Sequence, residues 1–440
     1  MGESTRDKAA GIYRYIGENL YFNRPDLRLG GTGYNSALLF ALLTGLTGGN
    51  ELIIGEPGLG KTSSAEYVAS ILYQLPLEVV WSAEVHGHPE QTEEKIVGRP
   101  DLGRLNKGEE KTIWSHFTQL SVKIVDEINR LPETKQSSIL DGVDRGNWKY
   151  LNEMVMVEDQ CLYATANYQD RGTNELLPPM CDRLDVVVES KHPGANRAMK
   201  IALKGKEGLR SPQDAARFEK ILGSKVPYGK KLPEMERASA AFGEHLSGMG
   251  LEPISKEERK EAKEEMKGVA FDIDASGFTR TLVSELSFCL MYGQKRTNET
   301  CKEGCPFSEY LCHRVRNCAS NRLPVSISRY ARALAWFLGE DKVTVEHIKV
   351  VAPHAMAHRV RWRDEFVSAH ETDRRMDPLQ IHLARVAVEE VLNRYRVLGE
   401  EIKAAFHASS KRQAVSMPLG KHPIFHEIQR DLEQQIGYGQ

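Results

Sequence analysis

Gly55-Glu56-Pro57-Gly58-Leu59-Gly60-Lys61-Thr62 has the residue types and order of a phosphate-binding loop. Glycines at 55, 58 and 60 let the backbone turn tightly, so that several N–H groups converge on one anion. Lys61 is placed to reach the β- and γ-phosphates of a nucleoside triphosphate, and the Thr62 hydroxyl to ligate Mg²⁺. Ser63 opens the helix that leaves the loop, and the N-terminus of that helix adds its positive dipole end. Further along, Val122-Lys123-Ile124-Val125-Asp126-Glu127 is an apolar run that ends in two carboxylates. Asp126 suits Mg²⁺ and Glu127 can polarise a water. One glycine-rich loop arises by chance; the pair in this order is specific. Together they predict binding and hydrolysis of ATP or a related triphosphate. The nucleotide and Mg²⁺ set is then Gly55, Glu56, Pro57, Gly58, Leu59, Gly60, Lys61, Thr62, Ser63 and Asp126.

These motifs need strands that end at one edge of a sheet. Leu52-Ile53-Ile54 reads as the strand entering the loop, and Ser63 to Leu72 as the helix leaving it. Apolar, β-branched runs recur at Leu77–Val80, Val122–Val125, Cys161–Ala164 and Leu184–Val188. Strand–helix alternation of this kind predicts a parallel sheet with helices on both faces. Residues 12–48 read as helices around the turn Leu29-Gly30-Gly31-Thr32-Gly33. After His192-Pro193-Gly194 the composition shifts to Pro, Gly and Lys clusters. The charged run Lys256 to Glu265 reads as a solvated helix or linker. Helical character returns from Phe278. Beyond Ile381, the stripe Ala384, Val388, Val391, Tyr395, Leu398 and Ile402 predicts a long amphipathic helix that packs on the chain's own body.

The chain has 440 residues, enough for two or three compact units. Hydrophobic residues make up 40% and charged residues 27%, as in ordinary soluble proteins. The net charge of −2 gives no general attraction for nucleic acid or an anionic membrane. The apolar stretch Ala37–Leu46 is too short to span a bilayer, and the polar start Met1 to Arg6 is unlike a signal peptide. Seven cysteines, several of them scattered singly, point to a reducing cytoplasm.

Asp126-Glu127-Ile128-Asn129-Arg130-Leu131-Pro132, followed by Lys135-Gln136-Ser137-Ser138-Ile139-Leu140, resembles the second nucleotide motif of the MoxR family of AAA+ ATPases. The resemblance covers about residues 36–190 and resumes near 319–360. It implies an α/β fold, an AAA+ αβα parallel-sheet core over 1–193 followed by a helical lid over 194–360; the residues add a cysteine-bearing insertion in that lid and a helical extension over 361–440. Tyr163-Ala164-Thr165-Ala166-Asn167 resembles the strand that ends in the sensor-1 Asn. Gly172-Thr173 with Cys181-Asp182-Arg183-Leu184 resembles the segment holding the arginine finger, which makes Arg183 the finger that reaches a neighbouring subunit. Leu177-Pro178-Pro179-Met180 and Leu184 depart from the family's pattern around it. Ala319-Ser320-Asn321-Arg322 resembles the start of the sensor-2 helix, so Arg322 is the sensor-2 choice. The catalytic set is then Glu127, Asn167, Arg183 and Arg322.

The resemblance further implies a homo-oligomeric ring, typically a hexamer, that remodels or activates a partner protein through a separate von Willebrand factor A domain chain. Trp148–Val157 (with a hairpin pattern) and Val85–Glu110 correspond to the family's two pore-facing insertions. His86 and His88, in the second of these, read as solvent-facing. A nucleic-acid motor is the alternative: Lys149, Arg99, Arg104, Lys107 and Lys111 lie in these insertions, diluted by Glu93, Glu94, Glu109 and Glu110. A nucleotide switch without hydrolysis is a third reading, and Glu127 argues against it.

Cys301, Cys305, Cys312 and Cys318 crowd just before Arg322. Thiolates are soft ligands, so this cluster predicts a Zn²⁺ site, with an iron–sulfur cluster as alternative, or free thiols.

Overall fold

The computed structural model describes the chain apart from residues 1–2, 168–175, 177, 204–206, 288–304, 306, 374–376, 412, 414–416, 419 and 435–440. Contacts divide it into two units, Met1–Glu265 and Met266–Gln440. The sequence reading placed boundaries at 193 and 360. Segment 194–265 instead gathers with the first unit, because the helices Pro212–Leu222 and Tyr228–Gly248 bury Phe218, Leu222, Phe242 and Leu246 there.

The first unit is built on five parallel strands: β1 (Asn50–Ile54), β2 (Val85–His86), β3 (Val122–Asp126), β4 (Cys161–Ala166) and β5 (Val186–Glu189). Their order across the sheet is β5-β1-β4-β3-β2. The register pairs Ala166 with Ile54, Ala164 with Val125, and Glu189 with Ile54, so the carboxyl ends of the central strands lie side by side. Helix Ser36–Thr47 is buried on every side, and its apolar composition leaves no polar face. Asn35 caps its start through Leu38 N, and Gly48 ends it with a left-handed backbone. Helix α1 (Lys61–Leu72) packs on the sheet directly after the phosphate loop.

One expected strand is a helix. Leu77–Ser82 is helical, and Leu77, Val79 and Val80 are buried. Pro76 at the N-cap supplies a starting turn that needs no N–H, and burial of one face outweighs the β-propensity of two valines. The sheet's edge strand lies just beyond, at β2.

A second unexpected feature is Lys123 in the middle of β3, which is fully buried. Its ammonium donates to the carbonyls of Phe117 at 2.5 Å, Thr118 at 2.9 Å and Leu120. The charge also sits over the Trp148 ring, 5.1 Å from its centre. Burial pushes the ammonium well below the usual lysine range. Helix α2 (Glu133–Arg145) leads into the expected hairpin, Asn147–Tyr150 paired with Glu153–Met156. A second hairpin, Gly98–Pro100 with Thr112–Trp114, meets it where Glu153 Oε2 accepts the Thr112 N–H at 2.7 Å.

The second unit is helical. Helix α3 (Ile273–Leu286) is capped by Asp272, α4 (Arg322–Leu338) ends at left-handed Gly339, and α5 (Val345–Met356) starts with a Thr344/His347 capping box. The long helix α6 (Leu379–Ser410) packs on α3 and α5 through Ala384, Val388, Val391, Tyr395 and Ile402, as its periodicity predicts; Leu398 is only half-buried. Helix α7 (Pro423–Glu433) closes against α3 and α6.

Candidate nucleotide site

The phosphate loop joins β1 to α1, and its shape depends on glycine. Gly58 and Gly60 stand at φ 78 and 77, where a side chain would strain the backbone. The loop is braced from behind: Ser190, one residue past β5, donates to the Leu59 carbonyl at 2.8 Å and meets the Tyr21 hydroxyl at 2.8 Å. Nothing in the sequence pattern marked Tyr21 or Ser190 as part of the loop's support.

Lys61 is buried and its ammonium lies at the centre of the site. It donates to the carbonyls of Gly55 and Glu56, both at 3.0 Å, and to Asn167 Oδ1 at 2.6 Å. Burial pulls it below the usual lysine range against the opposing field of Asp126, Glu127 and Glu56. Thr62 Oγ1 donates to Asp126 Oδ1 at 2.8 Å. A hydroxyl and a carboxylate brought together in this way are hard oxygen ligands of the kind Mg²⁺ takes, so these residues fit that ion.

Asp126 and Glu127 are separated by a sharp backbone change. Glu127 adopts φ 52, ψ 50, a left-handed conformation that costs a non-glycine residue about 1–2 kcal/mol. Three contacts hold it. Its N–H donates to Thr165 Oγ1 at 2.9 Å, its Oε1 accepts from Asn167 Nδ2 at 2.6 Å, and its Oε2 lies 3.0 Å from Arg130. Thr165 in turn donates to Asp126 Oδ1 at 2.6 Å. The strain therefore turns the Glu127 carboxylate toward Asn167 while Asp126 faces Thr62. Arg130 and Thr165 were missed by motif reasoning, because each acts through a neighbour rather than on the nucleotide.

His86, on β2 beside β3, and Glu84, just before that strand, also reach this carboxylate pair. His86 and Asp126 are register partners, and His86 Nδ1 lies 3.8 Å from both Asp126 Oδ2 and Glu84 Oε1. Burial, with Glu66 and Asp126 adding to it, pushes the Glu84 carboxyl up to about 8. His86 is solvent-facing, as expected, with 72% of its side chain exposed, although it lies on β2 rather than in a loop.

The remaining site residues are more dispersed. Arg183 pairs with Asp141 and Asp144 on α2. Gly172, Thr173 and Leu177 of the segment read around it lie outside the described residues. Arg322 is the first residue of α4, in the second unit, and is exposed. Cys301 lies outside the described residues. Cys305, Cys312 and Cys318 are half-buried and without disulfides. Among the described residues, the one group of three or more ligand side chains is Glu84, His86 and Asp126, so the three described cysteines are not gathered.

The comparisons agree with this geometry. Residues 50–184 match the AAA domain of the dynein-related subfamily, and residues 311–379 match the AAA lid domain. The chain thus carries an AAA domain similar to the dynein-related subfamily and an AAA lid domain, in accord with the resemblance carried by Asp126–Leu140. The fold is similar to the crystal structure of a "putative ATPase" from Cytophaga hutchinsonii ATCC 33406, with a TM-score of 0.57 at 18% identity, over 88% of this chain and 94% of that one. No curated protein matches the chain. Among the described residues no helix is long and apolar enough to cross a membrane.

Proposed function

We propose that this chain hydrolyses ATP in a homo-oligomeric ring, with six subunits as in MoxR proteins, and that it remodels or activates a partner protein. The observation that carries the reading is the closed chain Lys61–Asn167–Glu127, linked at 2.6 Å and 2.6 Å beside the Thr62–Asp126 pair. Bound with ATP, Mg²⁺ supplies charge neutralisation at the phosphate oxygens, and Thr62 and Asp126 are the residues to hold it. Lys61 and the loop N–H groups bind the phosphates. Glu127 takes a proton from the attacking water, and Asn167, already bonded to Glu127, orients that water. Arg183 completes the neighbouring subunit's site, and Arg322 has the sensor-2 role by its resemblance.

A protein client is favoured over nucleic acid by the two hairpins. Arg104 pairs with Glu109 at 3.3 Å and Lys111 with Glu153 at 2.8 Å, so acidic neighbours dilute the positive charge of these segments. The same segments expose Leu102, Leu105, Leu151, Met154 and Met156, apolar contacts suited to polypeptide. A von Willebrand factor A domain chain is the expected adaptor. The Cys301, Cys305, Cys312 and Cys318 site, with zinc ahead of iron–sulfur, completes the reading on spacing alone.

The test is to compare two variants. Lys61→Ala is expected to lose nucleotide binding. Glu127→Gln is expected to bind ATP normally, to lose hydrolysis by at least about a hundredfold, and to accumulate as an ATP-bound ring. Near-normal turnover in Glu127→Gln removes the assigned base. Stimulation by DNA that steepens at low salt, with none by unfolded protein, selects the nucleic-acid motor instead.

A further inference from the structure

The two oxygens of Asp126 face different partners. Oδ1 accepts from Thr62 at 2.8 Å and from Thr165 at 2.6 Å, on the side of the phosphate loop. Oδ2 faces the edge strand, 3.8 Å from His86 Nδ1. That placement follows from the sheet. Paired residues on adjacent strands point to the same face, so the register match of His86 with Asp126 sets them side by side. Glu84, just before the strand, brings Oε1 to 3.8 Å from His86 Nδ1. One ligand atom from each of the three residues lies within 4.8 Å of the others, a span that fits first-shell atoms around one ion.

Glu84 is the independent sign that something belongs there. Its side chain is only 4% exposed, yet among the described residues its carboxylate accepts no hydrogen bond, and its one close charge partner is the His86 ring at 3.8 Å. A largely enclosed carboxyl without a donor lacks the partner that would favour its charged form. A cation between Glu84, His86 and Asp126 would supply the missing partner to all three at once. The exposed side of His86 leaves the position open to water or to a phosphate oxygen.

We propose that Glu84, His86 and Asp126 Oδ2 form a second divalent-cation site beside the nucleotide's Mg²⁺ position, with Asp126 bridging the two. One imidazole nitrogen with two carboxylates suits a first-row transition cation such as Mn²⁺ better than it suits Mg²⁺. The inference rests on the reading of Asp126 as the nucleotide-site carboxylate. It adds two residues that the nucleotide motifs do not contain.

The experiment uses the full chain without nucleotide, in the Lys61→Ala background as well as the native one, titrated with Mn²⁺ and followed by EPR. Mn²⁺ is the probe because thiols compete poorly for it. About one tightly held Mn²⁺ per chain is expected, with ¹⁴N coupling from His86 in pulsed EPR. His86→Gln should remove that coupling and weaken binding about tenfold or more. Glu84→Gln should weaken binding while keeping the coupling. Both changes preserve size, and thermal unfolding checks that they preserve the fold. Mn²⁺ that binds only together with ATP, or ¹⁴N coupling unchanged in His86→Gln, overturns the proposal. Binding of a fluorescent ATP analogue, measured on the same samples, separates this failure from failure of the nucleotide reading: the analogue can bind normally while nucleotide-free Mn²⁺ binding is absent, or the reverse.

Discussion

Arg183 and Asp141 meet within one subunit: Nη2 lies 2.7 Å from Oδ1, and Asp144 approaches Nε to 3.5 Å. The guanidinium proposed to act on a neighbour's nucleotide is thus held against its own α2. The contact is partly solvated, with 24% of the Arg183 side chain and 47% of the Asp141 side chain exposed. Partly exposed pairs contribute about 0.2–1 kcal/mol, so a triphosphate at a subunit interface can take the guanidinium over.

Two substitutions separate a finger from an anchor. Arg183→Ala is expected to leave ATP binding intact and to cut turnover by roughly a thousandfold. Mixing it with Lys61→Ala subunits should restore part of the activity, because some interfaces then join an intact loop to an intact Arg183. Asp141→Asn should raise turnover at low protein concentration, by up to about fivefold for ~1 kcal/mol of released pairing. If Arg183 only anchors α2, both variants lower the melting temperature alike and subunit mixing rescues nothing.

The candidate site could be proposed from the sequence wherever the chemistry demands consecutive residues. Gly55–Thr62 and Asp126–Glu127 are contiguous because one loop and one strand end must present them together. The contributions of Arg130, Thr165, Tyr21 and Ser190 were hidden, since each is brought in by a turn or a neighbouring strand. His86 reads from sequence as solvent-facing, and its place beside Asp126 comes only from the register of β2 on β3; Glu84, just before that strand, carries no signal of its own. In the fold, Leu77–Val80 misled because β-propensity describes an isolated segment, whereas Pro76 and burial decided its conformation. The boundary at Glu265/Met266 has no breaker of its own and falls inside the helix Lys256–Gly268, where composition gives no signal.

Spacing and geometry point differently for the cysteines, so metal content is the deciding measurement. Anaerobically purified protein is expected to hold about one zinc per chain, as a four-thiolate structural site does. Cys312→Ser should lower that content, and His86→Gln should not, which keeps the two proposed sites apart. A brown colour with visible charge-transfer absorption assigns the cluster to iron–sulfur. Metal-free protein in which Cys301, Cys305, Cys312 and Cys318 all titrate as free thiols removes the site.

Acid should weaken the second unit through Glu285. This carboxylate is fully buried on α3, and burial alone would raise its pKa. His422 at 3.0 Å and Arg394, which donates from Nε at 2.9 Å and Nη2 at 2.6 Å, outweigh that and hold it below the ordinary glutamate range. The Leu311 N–H adds a further bond at 2.8 Å, so one carboxylate ties α3 to α6, to the start of α7 and to Leu311. Because the folded pKa is depressed, the unfolded chain binds more protons as pH falls below the ordinary glutamate range. The stabilisation is therefore complete above that range and is lost as pH drops through the lower, folded value. Glu285→Gln should flatten this acid limb of the stability curve. Glu285→Ala should cost on the order of 3 kcal/mol at neutral pH, because it takes the buried counter-charge from His422 and leaves half-buried Arg394 with Glu390 alone, at 3.8 Å. Urea unfolding followed at several pH values checks both, and an acid limb unchanged in Glu285→Gln assigns the loss to other carboxylates.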